Sequence, residues 1–342
     1  MDFYEIKERA LKSGTTEVRP AWRVHEFKDL MVRGKSFYAV YNPETHFWST
    51  NEYDLTRIVD ADGARRFEEA SERVDGSVWA RYLGDYDSKT YSDYKAWMSK
   101  LPDVYHPLDS GILFADQTPR REDYATRTLT YSLSDNPCPA YEELMSTLYD
   151  PDEREKLEWG IGAVFTGDSK WIQKFFVLYG SAGSGKSTVL NLISRLLDDH
   201  IGKFDAAALG RPSDQFALEP FNSNPRVAVQ HDGNLARIAD NRRLNSLVSH
   251  EPMVMNEKGK SLYEFKPEAM LFVGTNLPVR ITDSKSGLTR RLIDVEPSGR
   301  RLDIHRYNDI MDRIESERGS NVNKCIEVYT TKGSSYYDDY KP

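Results

Sequence analysis

Lys186 and Ser187 close the run Gly180-Ser181-Ala182-Gly183-Ser184-Gly185-Lys186-Ser187, which fits G-x-x-x-x-G-K-[ST] at every fixed position. Each residue type there has a part in holding a triphosphate. Gly180, Gly183 and Gly185 let backbone N–H groups turn inward and approach phosphate oxygens closely. A helix that starts at this point adds partial positive charge. Lys186 is expected to reach the β- and γ-phosphates, and the Ser187 hydroxyl to ligate Mg²⁺. The whole stretch from Gly180 to Thr188, with Ser181, Ala182 and Ser184 inside it, is the candidate ATP-binding loop. A second candidate is Asp232, at the end of the apolar run RVAVQHD. A carboxylate at the end of such a strand completes the Mg²⁺ shell or orients water in P-loop proteins.

The flanking elements supply the context this motif needs. Phe175-Phe176-Val177-Leu178-Tyr179 is apolar and rich in strand formers, which predicts a buried strand. Val189, Leu190, Leu192, Ile193, Leu196 and Leu197 then recur at helical spacing. Residues 203–220, with Gly210, Pro212 and Pro220, read as irregular, and residues 239–250 as a helix. Residues 253–256 and 261–265 read as a hairpin around Glu257-Lys258-Gly259-Lys260. Residues 269–273 (AMLFV) predict a third buried strand that delivers Gly274-Thr275-Asn276. Residues 292–295 are strand-like, 303–330 mostly helical, and the polar, aromatic tail 333–342 is expected to be loosely ordered.

Upstream, residues 35–41 and 45–50 are strand-like around Asn42-Pro43-Glu44, a hairpin pattern. Residues 53–73 are charged and helical in pattern. Trp79, Tyr82, Tyr86, Tyr91, Tyr94 and Trp97 suit either stacking on bases or packing a small core, and the core is the preferred reading. Asp60 with Asp62, and Asp85 with Asp87, have the spacing of a metal pair but read first as solvated loops. Ser134-Asp135-Asn136-Pro137-Cys138-Pro139 marks a boundary. Residues 141–149 and 152–165 follow as two helices, with Pro151 in a first turn and Asp150 as its cap.

The composition bounds the function. A chain of 342 residues allows two or three domains. It has no apolar run near ~18 residues, so no membrane span is expected. Cys138 and Cys325 are the only cysteines, which form neither a disulfide framework nor a zinc knuckle, and a cytoplasmic location is expected, the host cytoplasm if the chain is phage-encoded. A net charge of −8 argues against a generally sticky nucleic-acid binder but leaves room for a local basic channel.

In order and spacing, these parts resemble the superfamily 3 helicases, especially the primase-helicases of phages and of large DNA viruses of the poxvirus type. The residues that carry the resemblance are GSAGSGKST, VAVQHD, the Glu257–Lys260 segment with its flanking strands, LFVGTN followed by Leu277-Pro278, and GLTRRLIDVEP. The resemblance covers residues 108–300. It implies an α/β fold: an AAA+ P-loop NTPase core with a three-layer, mostly parallel sheet, preceded by a helical collar-like domain and a mixed α/β N-terminal domain. The implied domains are 1–107, of open role; 108–170, a helical collar for oligomerisation; 171–300, the motor; and 301–342, a helical segment with a polar tail. The implied activity is ATP hydrolysis by a hexameric ring that translocates on single-stranded DNA and unwinds forked duplex, working with a primase or other replication proteins. By the same resemblance, Asn276 orients the attacking water or senses the γ-phosphate. Arg290 or Arg291, with Arg291 preferred, reaches into a neighbouring subunit's site. Lys258 and Lys260 contact DNA phosphates without reading bases.

One departure stands out. The family has two adjacent acids where this chain has Asp232 followed by Gly233 and Asn234. This keeps open an origin-binding initiator or loader that melts DNA without processive unwinding. A monomeric P-loop kinase and a packaging motor fit the motif order less well.

Overall fold

The computed structural model describes residues 4–14, 16–22, 31–33, 38–51, 53–54, 57–58, 61, 65, 96, 108–235, 238, 240–258, 262–277 and 287–342. Asp60, Asp62, Asp85, Asp87, Lys260 and the aromatic residues between Trp79 and Trp97 lie outside them. The chain divides into two compact units, one of residues 1–108 with 119–126, the other of residues 109–118 with 127–342.

In the first unit, β1 (Tyr4–Ala10) and β2 (Thr16–Trp22) form an antiparallel hairpin. Gly14 sits in its turn at φ 81, where a side chain would be strained. A second sheet has the order β3 (Met31–Arg33), β4 (Tyr38–Tyr41), β5 (Trp48–Ser49), all antiparallel. The expected hairpin around Asn42 is thus present, closed by the Asn42 side chain accepting from the Glu44 N–H at 2.9 Å. Buried Trp48 anchors this unit: its ring stacks on Tyr124 at 5.1 Å, and its indole N–H donates to the Arg121 carbonyl at 2.8 Å. Tyr53, Asp54, Arg57, Ile58, Ala61 and Arg65 are helical.

The second unit is organised by five strands: β6 (Phe175–Tyr179), β7 (Ile201–Lys203), β8 (Val227–Gln230), β11 (Met270–Thr275) and β12 (Leu292–Val295). Their order is β12-β6-β11-β8-β7 and every pairing is parallel. Both faces are covered, as parallel sheets require. Phe176, Leu178, Val229, Phe272 and Ile293 point into one apolar core; Phe175, Val177, Ala228, Leu271 and Leu292 point into the other. Phe176 stacks flat on Phe272 at 4.7 Å, an aromatic contact worth about 0.5–1.5 kcal/mol beyond its buried area. This is the α/β core of a P-loop NTPase.

The first face carries α1 (Pro139–Leu148), α2 (Pro151–Phe165), α3 (Lys186–Leu197) and α6 (Ile304–Lys332). All six apolar residues singled out on α3, from Val189 to Leu197, are buried there. Helices α2 and α6 approach closely because Gly162 has no side chain; a Cβ would lie 2.1 Å from the Cys325 carbonyl oxygen. The second face carries α4 (Ala206–Leu209), α5 (Arg242–Val248) and the antiparallel pair β9 (Met253–Met255) with β10 (Tyr263–Phe265).

Three local expectations change. Asp150 has the extended backbone of a cap residue, but its carboxylate caps nothing and accepts from Arg300 at 2.9 Å instead. The first turn of α1 is capped from a distance: Glu317 on α6 accepts from the Ala140 and Tyr141 N–H groups at 3.2 and 3.0 Å. The tail is not loose. Tyr337 packs edge-on against Trp159 at 5.0 Å, and the Tyr340 hydroxyl donates to Asp294 at 2.5 Å. Lys174 donates to the Asp338 carbonyl at 3.1 Å. Aromatic rings that look solvated in a polar sequence find apolar seats on α2 and hydroxyl partners on β12.

Candidate nucleotide site

Strand β6 ends at Tyr179 and hands the chain to the glycine loop, whose last residues open α3. Gly183 and Gly185 have φ of 74 and 99, in the region that favours glycine. Gly185 is also confined: a Cβ would lie 2.9 Å from the Leu148 side chain. The Lys186 ammonium turns back into its own loop and donates to the Gly180 and Ser181 carbonyls at 2.6 and 2.8 Å. Burial pushes its pKa below the usual lysine value, and Asp232 opposes that. A polyanion with negative oxygens at this point is a stronger partner for the ammonium than two neutral carbonyls.

A cleft of about 450 Å³ opens over the loop. It is lined by Ala182, Gly183, Ser184, Gly185, Lys186, Ser187 and Thr188, and by His231, Asp232 and Asn276. The sheet explains the convergence. β11 lies beside β6, with β8 next to it, and the ends of all three face the same way. Asp232 follows the end of β8 and Asn276 follows the end of β11, both exposed. The Gly233 N–H donates to the Gly274 carbonyl at 2.8 Å and ties the two strand ends together. Gly233 also accounts for the missing second acid at that position. A Cβ there would lie 2.5 Å from Val273, so no carboxylate can follow Asp232 without moving the strand. His231 is the other titratable side chain on this wall, and the sequence reading passed over it.

The remaining lining comes from elsewhere: Leu148 at the end of α1, then Arg301, Leu302 and Tyr307 around the start of α6. Arg301 donates to the Ala182 carbonyl at 3.2 Å. None of the four carries a motif, and only the folded chain brings them to the loop.

The arginine pair and the lysine hairpin lie apart from this lining. Arg291 is buried, and its guanidinium donates to the Ser249 hydroxyl at 3.0 Å and the Gly287 carbonyl at 3.1 Å. Burial and then the charge of Arg290 lower its pKa. Arg290 is exposed, and no described carboxylate pairs with it. Its carbonyl is fixed by the Lys174 ammonium at 2.7 Å, which holds the backbone while leaving the side chain outside. Lys258 is exposed at the tip after β9.

An oxygen-rich set suits a hard cation such as Mg²⁺, which keeps several waters and takes few protein ligands. The exposed Ser187 hydroxyl and Asp232 carboxylate on one cleft fit that demand. Among the described residues, no three His, Cys, Asp or Glu side chains group as a metal cluster. No helix among them is long and apolar enough to cross a membrane.

A family model described as a family of unknown function (DUF5906) matches residues 178–291, the span from the end of β6 through the arginine pair. No curated protein matches the sequence. Among solved structures, the A form apo structure of the NrS-1 C-terminal region aligns with a TM-score of 0.50 at 15% identity, covering 87% of this chain and 70% of that one. Another apo structure of the NrS-1 C-terminal region aligns with a TM-score of 0.45 at 18% identity, covering 60% of this chain and 54% of that one. The chain therefore spans about half of the latter. At such identities the likeness is one of fold.

Proposed function

We propose that this chain is an ATP-hydrolysing DNA helicase of the superfamily 3 type that works as a ring, probably best described as a replicative motor. The observation that carries the reading is the convergence of the loop lysine and serine, one strand-end acid and one strand-end amide on a single cleft. Lys186 releases its loop carbonyls to take the β- and γ-phosphates, and loop N–H groups bind the remaining oxygens. Mg²⁺, when bound through Ser187 and Asp232, neutralises charge on the phosphates. Asn276 holds the attacking water, with Asp232 beside it.

The cleft as described has no arginine free to meet charge on the transferring phosphoryl group, since Arg301 lies on the loop carbonyls. A neighbouring subunit supplies it. The exposed Arg290 is the better candidate and Arg291 its buried support. An arginine given in trans is worth roughly 10³–10⁵ in rate, so turnover depends on assembly. Lys258, with Lys260 beside it in sequence, gives each subunit a basic tip for the DNA backbone. Gly233 favours one second reading: with a single acid in place, the chain is a nucleotide-switched initiator that melts DNA without processive unwinding.

Strand displacement on a forked duplex tests the proposal. ATP-dependent displacement that Lys186→Ala abolishes supports the motor. ATP hydrolysis without displacement, on DNA that the protein binds and melts, selects the initiator.

A further inference from the structure

We infer that the nucleobase lies against Leu148, Leu302 and Tyr307, in a seat that grips any base by its face and reads none by its edge. The inference rests on the nucleotide-site reading above and adds the base specificity of that site.

The direction comes from the sheet. Asp232 and Asn276 stand on the β8 and β11 side of the loop, which assigns the γ-phosphate end to that side. Beyond β6 on the other side lies β12, and the chain leaving β12 runs back along the loop. Pro297 lies 3.3 Å from where a Gly180 Cβ would be, and Arg301 lies 3.5 Å from the same position on Gly183. Leu302 and Tyr307 follow, both half-buried against the core, and Leu148 completes the wall.

The seat is apolar because its polar groups are already engaged. The Leu148 carbonyl accepts from the Ser298 N–H at 2.8 Å. The Thr147 carbonyl takes the Ser298 hydroxyl at 2.8 Å and Arg300 Nε at 3.0 Å. The Ser146 carbonyl takes a second Arg300 nitrogen at 3.0 Å. The Tyr149 N–H donates to Met145 and the Tyr307 N–H to Asp303, each at 2.9 Å. The Asp303 carboxylate accepts from the His305 and Arg306 N–H groups, each at 3.0 Å.

Selection of one base needs hydrogen bonds to its edge, and sites built that way reject the wrong partner by roughly 10⁴–10⁵. Stacking on an aromatic ring is sequence-tolerant, because every base has a π-face. This wall offers a ring and two leucines, so it binds purine and pyrimidine nucleotides alike, with purines favoured by their larger face.

Competition of unlabelled ATP, GTP, CTP and UTP against a fluorescent ATP analogue on the full chain tests this, with hydrolysis of each measured beside it. All four are expected to compete within about tenfold of one another, as face stacking allows. Tyr307→Ala should weaken all four together by about tenfold and leave kcat near its original value, while Tyr307→Phe retains binding. A preference for ATP above roughly 100-fold would overturn the inference and leave the motor reading intact. So would unchanged affinity in both Tyr307→Ala and Leu302→Ala, or a loss confined to ATP. Circular dichroism of each variant separates lost binding from lost fold. If the wild type binds no nucleotide, the site itself is misread and the inference falls with it.

Discussion

On one side of the phosphate loop, Asp232 and Asn276 hang from the ends of neighbouring parallel strands, tied by the Gly233 to Gly274 hydrogen bond. On the other side, Leu148, Leu302 and Tyr307 are held by side chains that cross between α1 and the lead into α6, Arg300 and Ser298 above all. The first wall is fixed by strand register, which cannot shift without reversing which residues face each core. The second depends on a few half-exposed hydrogen bonds. The first therefore suits chemistry, where small displacements are costly, and the second suits a grip that tightens and releases.

The sharpest break between the walls comes from the charges. Lys186→Ala should remove hydrolysis to background in a steady-state assay. Arg290→Ala should lower the rate by about 10³ while nucleotide binding persists, as expected for an arginine acting in trans. Arg291→Ala should act first on stability, because it empties a buried guanidinium site, and thermal melting would register it. Mixing Arg290→Ala with Lys186→Ala subunits should restore part of the activity; no rescue in proven mixed assemblies would count against a shared site.

Gly233→Asp tests the polar wall. It supplies the second acid, yet it should cost about 1–3 kcal/mol in denaturant unfolding through overpacking against Val273, with no gain in kcat. A stable and faster variant would show that the wall has room.

Arg300→Ala tests the other wall. Losing its bonds to Ser146, Thr147 and Asp150 should raise KM by about tenfold with kcat nearly unchanged, as loss of uniform binding does. A fall in kcat with constant KM would mean that the grip wall takes part in the chemistry.

The smallest effect concerns the sheet edge that carries β8. His200 is buried with neither ring nitrogen partnered, and burial, then Arg127, hold its pKa down to about 4; Asp109 and Asp198 oppose this, and Arg226 adds to it. The folded pKa lies below the unfolded one. The unfolded chain therefore binds the extra proton first, and stability falls as pH drops from about 6.5 towards 4. The full loss is on the order of 3 kcal/mol. His200→Leu should flatten that slope in urea titrations.

How much the sequence shows follows the same division. The loop was legible because strand, glycines and helix are contiguous, and Asp232 and Asn276 because each ends an apolar run. Leu148, Arg301, Leu302 and Tyr307 have no local signature, since their meeting depends on α1 and α6 packing across some 150 residues of chain. Arg290 and Arg291 are adjacent and chemically identical, so only burial distinguishes them. The tail misled for the opposite reason: Tyr336, Tyr337 and Tyr340 sit among polar residues, and the apolar seat they use lies on distant α2.

The central claim is a ring whose sites are completed by a neighbour. The ATPase rate per subunit, measured across a protein concentration series with and without single-stranded DNA, addresses it directly. The account predicts a rate that rises with protein concentration and again with DNA. A rate flat in both would contradict it and leave a monomeric P-loop enzyme with a different substrate.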